Sequence, residues 1–150
     1  MVEKKSRTEI ETAPYNAYLN KLIDQVKGGW IFILDDDDYL VNNSIMERFV
    51  THLTDDNMIY FVKMQWSSGR IIPSPENFSR NQIVRKDIGM PCFIFHAKHK
   101  HKLSFQPIKQ GDYHFITKLT GIVKRHRWVD MILTQIGNTG AYGQPEAKIN

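Results

Sequence analysis

Cysteine is nearly absent. Cys92 stands alone among 150 residues, which excludes an internal disulfide and suits a reducing compartment, so a cytoplasmic chain is expected. Its neighbours Phe93, Ile94 and Phe95 favour a buried, inert thiol over a nucleophile. No apolar run approaches the roughly 20 residues of a membrane-spanning helix. The first residues, with Glu3, Lys4, Lys5 and Arg7, are followed by no apolar segment and do not read as a signal peptide. No internal repeat occurs, and the one low-complexity block is a run of four aspartates. The formal charge of +4 is modest; it suits anionic partners such as diphosphates, headgroups or nucleic acid without choosing among them.

What is present reads as one α/β domain over residues 14–136, between a polar arm at 1–13 and a loose Gly- and Asn-rich tail at 137–150. Pro14 opens a helix whose apolar stripe is Tyr15, Tyr18, Leu19, Leu22 and Val26, stopped by Gly28-Gly29. Trp30 to Leu34 is a short apolar run that predicts a strand buried on both faces. Asn42, Asn43 or Ser44 caps a second helix with Ile45, Met46, Phe49, Val50 and Leu53 inside. Met58–Trp66 is a strand and Ser67-Ser68-Gly69 its turn. Residues 70–90 look irregular, with a short strand around Ile83-Val84. Pro91–Ala97 is a further strand, and a basic hairpin follows at Lys98–Lys102. Gly111-Asp112 opens a third helix, and Trp128–Ile136 closes as a strand. Helices alternating with buried strands predict a mostly parallel central sheet flanked by helices.

Asp35-Asp36-Asp37-Asp38 is the chemical centre of this pattern. Four adjacent carboxylates usually form a solvated loop. Here a predicted strand delivers them from its C-terminal end, where open α/β sheets bind ligands. Crowded carboxylates raise one another's pKa unless a cation compensates, and hard Mg²⁺ or Mn²⁺ takes such oxygens. Asp35 and Asp37 alternate in sequence and can point one way while Asp36 points the other. Two chemistries place Asp-x-Asp at a strand end. One is phosphatase chemistry of the haloacid-dehalogenase type, whose motif normally opens a domain and continues with Thr or Val, where Tyr39 stands here. The other is glycosyl transfer.

The stretch from Asn20 through Gly28-Gly29-Trp30-Ile31-Phe32-Ile33-Leu34 into Asp35–Asp38 resembles the central motif of inverting, GT-A-fold glycosyltransferases of the family 2 type. Those enzymes follow it with an apolar acceptor-side strand, a Gly-Glu-Asp-like motif opening a helix, and a terminal strand. The counterparts are Pro91–Ala97, Gln110-Gly111-Asp112 and Arg127–Ile136, with Gln110 where the family has Glu. The resemblance implies a metal-dependent transferase moving a sugar from a nucleotide-diphospho-sugar to an acceptor hydroxyl with inversion. It assigns Asp35 and Asp37 to Mn²⁺ or Mg²⁺. Asp35, Asp36 and Asp38 go to the bound donor, Asp38 by supporting the loop or contacting the sugar. Asp112 becomes the general base, although an Asp after Gly is also an ordinary helix cap. Family members carry a strand-helix-strand nucleotide-binding region ahead of this motif, where this chain has its polar arm. The resemblance therefore implies a partial GT-A domain: the sequence is a fragment of a longer protein, a homodimer or partner chain supplies the other half, or catalysis has been lost. The alternative is a non-catalytic GT-A-like module that pairs with a partner chain or a polyanion.

Other groups carry simpler readings. His96, His99 and His101 have spacings that could meet Zn²⁺, but the interleaved lysines repel a cation and favour phosphate contact or plain surface charge. Lys124–Arg127 reads as helix C-terminal charge. Trp66 and Trp128 read as core or rim aromatics. The family's additional metal-ligating His falls at His114 or His126.

Overall fold

A computed structural model describes residues 15–105 and 111–137 of the chain. The predicted arm, Pro14, Gln110 and the tail beyond Gly137 lie outside the described residues. In chain order the elements are α1 (Tyr15–Asp24), β1 (Trp30–Ile31), β2 (Tyr39–Leu40), α2 (Ile45–Val50), β3 (Met58–Gln65), β4 (Ile71–Ile72) and α3 (Pro75–Ser79). Then come β5 (Phe93–His96), α4 (Gly111–Ile122) and β6 (Arg125–Gln135), with 3-10 turns at Met90–Cys92 and Ala97–Lys102. Among the described residues no helix is long and apolar enough to cross a membrane.

The fold is mixed α/β, but the sheet is not mostly parallel. Its order is β1-β5-β3-β6-β2, with β4 beside β3. Among the described residues only β3 and β6 pair in parallel; the other four pairings are antiparallel. The expectation failed because a continuous apolar run reports burial on two faces, and burial on two faces does not require parallel neighbours. In β3, Ile59 and Phe61 enter one buried cluster with Phe93, Phe95, Phe115 and Leu119. Tyr60 and Val62 enter another with Ile45, Phe49, Val129 and Leu133. Each face of the sheet is covered, so a central strand reads the same in either topology.

One aspect of the parallel expectation survives in the strand directions. β1 and β3 both run against β5, and β3 runs with β6. The C-terminal ends of β1, β3 and β6 therefore share one edge of the sheet. α4 leads into β6 after two residues, so its first turn is carried back toward that same edge.

Four local expectations change. β1 stops at Ile31; Phe32 and Ile33 are only half-buried and Leu34 is exposed. α1 is rotated about its axis: Asn16 and Ile23 are buried, whereas Tyr18 and Leu22 are 67% and 60% exposed. The side chain of Tyr15 lies outside the described residues. The short strand of the 70–90 region is Ile71–Ile72, hairpinned to β3 through Gly69 at φ 91, and Ile83-Val84 forms none. That positive φ is one a side chain resists, so glycine suits the turn. In α2, Ile45 and Phe49 are buried as expected while Val50 is exposed.

Candidate metal centre

The acidic run leaves the core at Leu34 and forms a hydrogen-bonded turn in place of an extended segment. Asp38 N–H donates to Asp35 O at 3.1 Å, and Asp35 N–H donates to Asp38 Oδ2 at 3.3 Å. β1 fixes the entry to this turn against β5, and β2 fixes its exit against β6, at the opposite margin of the sheet. The turn therefore spans the edge where β1, β3 and β6 end.

Asp35, Asp37 and Asp38 each bring a carboxylate oxygen within 4.8 Å of the others. Asp36 stands outside the trio; like Asp35 and Asp37 it is exposed at the surface, while Asp38 is half-buried. Burial, then the charges of Asp37 and Asp36, raise the Asp35 carboxyl above its ordinary value. Burial and the Asp35 charge push Asp38 up to about 6, against partial relief from the amides of Asp35 and Gly137. Carboxylates so arranged repel one another and offer only hard oxygen donors. Those are the conditions a divalent cation such as Mg²⁺ or Mn²⁺ relieves.

Asp112 is the second residue of α4, inside the first turn and not at the cap, and is half-buried. Its Oδ1 accepts the Tyr113 N–H at 2.8 Å. Burial pushes its carboxyl up to about 6; its own amide and that of Tyr113 counter this, and the Asp35 charge adds to it. Trp66, just beyond β3 at the same edge, has a buried Nε1 with no hydrogen-bond partner among the described residues.

The histidines do not join this site. His126 lies at the start of β6, on the order of 30 Å from the acidic turn at strand rise, and its Nε2 meets Val123 O. His114 Nε2 is 3.5 Å from Arg85 Nη2, a cationic neighbour. The stretch predicted as a basic hairpin is a 3-10 turn. In it His99 is buried against Asp56 O, and Lys98 pairs with Asp56 at 2.6 Å. Trp128 is a core aromatic, stacked on Phe61 with centroids 4.2 Å apart. Cys92 is fully buried, with its thiol pKa pushed up by that burial. What the sequence did not disclose is Gly137, assigned to a loose tail, whose N–H supports Asp38. No family model matches the chain, and no curated protein or solved structure matches it either.

Proposed function

We propose that this chain carries the metal-binding and acceptor-side part of an inverting glycosyltransferase of the GT-A kind, acting on a nucleotide-diphospho-sugar and an acceptor hydroxyl. The observation that supports the reading is the acidic trio at the edge of the sheet where β1, β3 and β6 end, the edge toward which the first turn of α4 with Asp112 is directed. The Asp35 charge is the smallest of the influences that raise the Asp112 carboxyl.

Asp35 and Asp37 would hold Mn²⁺ or Mg²⁺ through carboxylate oxygens, with Asp38 bracing the turn through two backbone amides. When bound, the ion neutralises charge on a diphosphate leaving group. Asp112 takes the proton of the acceptor hydroxyl as that oxygen attacks the anomeric carbon and the carbon–diphosphate bond breaks. A carboxyl raised to about 6 is still mostly ionised at neutral pH and is a stronger base than an ordinary aspartate. Its place in the first turn of α4 favours the ionised form through the helix dipole. The buried Trp66 Nε1 is a donor at the same edge that a sugar hydroxyl could use.

The test is calorimetric titration of Mn²⁺ into the full chain, with and without UDP or GDP, for wild type and Asp37→Ala. The reading expects Mn²⁺ binding, nucleotide binding that requires the metal, and loss of both in the variant. Wild type that binds neither at millimolar concentration overturns it and leaves the non-catalytic module.

A further inference from the structure

β6 stays engaged beyond its last ladder pair. Tyr39 faces Gln135 and Leu40 faces Thr134 across β2 and β6, and Val41 N–H donates to Leu133 O at 3.0 Å. Continued past Tyr39, this antiparallel register sets Ile136 beside Asp38 and Gly137 beside Asp37. Ile136 cannot swing away, because its N–H donates to Gln65 O on the β3 side at 2.8 Å. The Gly137 amide then lies near enough to the Asp38 carboxylate to favour its charged form, the same carboxylate that accepts the Asp35 N–H.

The fit at this point leaves no room for a side chain. A Cβ on Gly137 would overlap the carbonyl oxygen of Asp37 and lie 3.3 Å from both the carbonyl carbon and the Cβ of Asp37. The obstacle is backbone, which does not rotate aside. Gly28, Gly29, Gly69 and Gly121 would each meet nothing within 4 Å, and Gly89 would meet chiefly the flexible end of Met64. Gly137 alone among these six is required by close approach of another backbone segment.

We infer that Gly137 is a positioning residue for the acidic turn: its missing side chain lets the end of β6 seat against Asp37 and hold Asp38, which sets the spacing of the three carboxylates. The consequence for metal affinity rests on the proposal that this turn holds a divalent cation; the grip on the turn itself does not. A side chain at 137 pushes the β6 end off Asp37, breaks the amide contact to Asp38 and frees the turn to open. Supports of this kind typically change metal affinity by roughly ten- to a hundredfold.

The experiment compares wild type, Gly137→Ala and the control Gly121→Ala as full chains. It measures Mn²⁺ affinity by calorimetry, melting temperature, and amide hydrogen exchange without metal. The expected result is Mn²⁺ binding weakened roughly ten- to a hundredfold and a faster Asp35 amide in Gly137→Ala only, with its melting curve still cooperative. Wild-type affinity together with a wild-type Asp35 exchange rate in Gly137→Ala overturns the inference. If wild type itself binds no Mn²⁺, the metal proposal falls while the metal-free exchange still decides the role of Gly137. Should Gly137→Ala fail to fold, Asp38→Ala probes the same contact from the other side. The Gly137 amide must then exchange faster, and an unchanged rate overturns the inference.

Discussion

Asn20 and Phe105 exchange two hydrogen bonds: the side-chain amide of Asn20 donates to Phe105 O at 2.9 Å and its Oδ1 accepts the Phe105 N–H at 2.7 Å. The Phe105 ring is buried and stacks on Phe115 of α4, with centroids 4.1 Å apart. A polar residue on the inner side of α1 is thus tied, through one loop residue, to the helix that carries Asp112. Asn20→Ala strands a backbone donor and a backbone acceptor at a partly buried place. We expect a loss of about 2 kcal/mol, read as a lower urea midpoint, with Asn20→Asp in between because it keeps the acceptor.

That pair also marks where the sequence was legible and where it was not. β3, α4 and the closing strand followed from apolar runs and helical spacing, because each holds its own pattern over many residues. The inner face of α1 did not, because Asn16 is buried and Asn20 turns inward to Phe105 while Tyr18 and Leu22 face outward. Local pattern carries no record of which strand lies beside which, so the antiparallel place of β5 between β1 and β3 was hidden. The acidic turn was legible from its charge and from the apolar run before it. Its close contact with Gly137 is a long-range fact that a glycine does not announce in sequence.

Proton linkage at Asp112 gives a pH signature. Its folded pKa of about 6 lies above the ordinary 3.8, so between those values the folded state keeps a proton that the unfolded state has released. Stability from this group is complete below about pH 4, falls as pH rises, and is gone above about 6. Asp38, also near 6, acts in the same direction. Asp56, whose carboxyl Lys98 holds below its ordinary value, acts oppositely and only in stronger acid. Urea midpoints at pH 4.5, 5.5 and 7 should therefore decline with pH in metal-free protein. Asp112→Asn should flatten that decline and raise the midpoint at pH 7; an unchanged slope would show that Asp112 does not titrate there.

Lys100 and Lys98 are neighbours with unequal expected weight. Lys100 Nζ donates to the carbonyls of Ile23, Asp24 and Val26 at and just beyond the end of α1, where the Ile23 carbonyl also accepts the Val26 N–H. Lys98 makes one ion pair with Asp56, both side chains more than a third exposed. Lys100→Met should cost about 1 kcal/mol or more through the lost helix-end contacts. Lys98→Met should stay within about 0.5 kcal/mol, as exposed pairs do. Equal midpoints for the two variants in thermal or urea unfolding would remove Lys100 as the cap of α1.

Thr134 supplies a prediction of opposite sign. It is fully buried in β6 between Leu40 and Met64, and its Oγ1 has no hydrogen-bond partner among the described residues. Its cross-strand neighbours are apolar, Met64 in the cluster that holds Phe61, Phe93 and Phe115 and Leu40 against the other cluster. A hydroxyl held there without a partner costs free energy that a methyl of the same shape does not. Thr134→Val keeps the β-branched form and should stabilise the chain by about 1 kcal/mol, seen as a higher melting temperature without added metal or nucleotide. A lower melting temperature would mean that the hydroxyl has a partner, and the partner would then be sought at the edge where β6 meets the acidic turn.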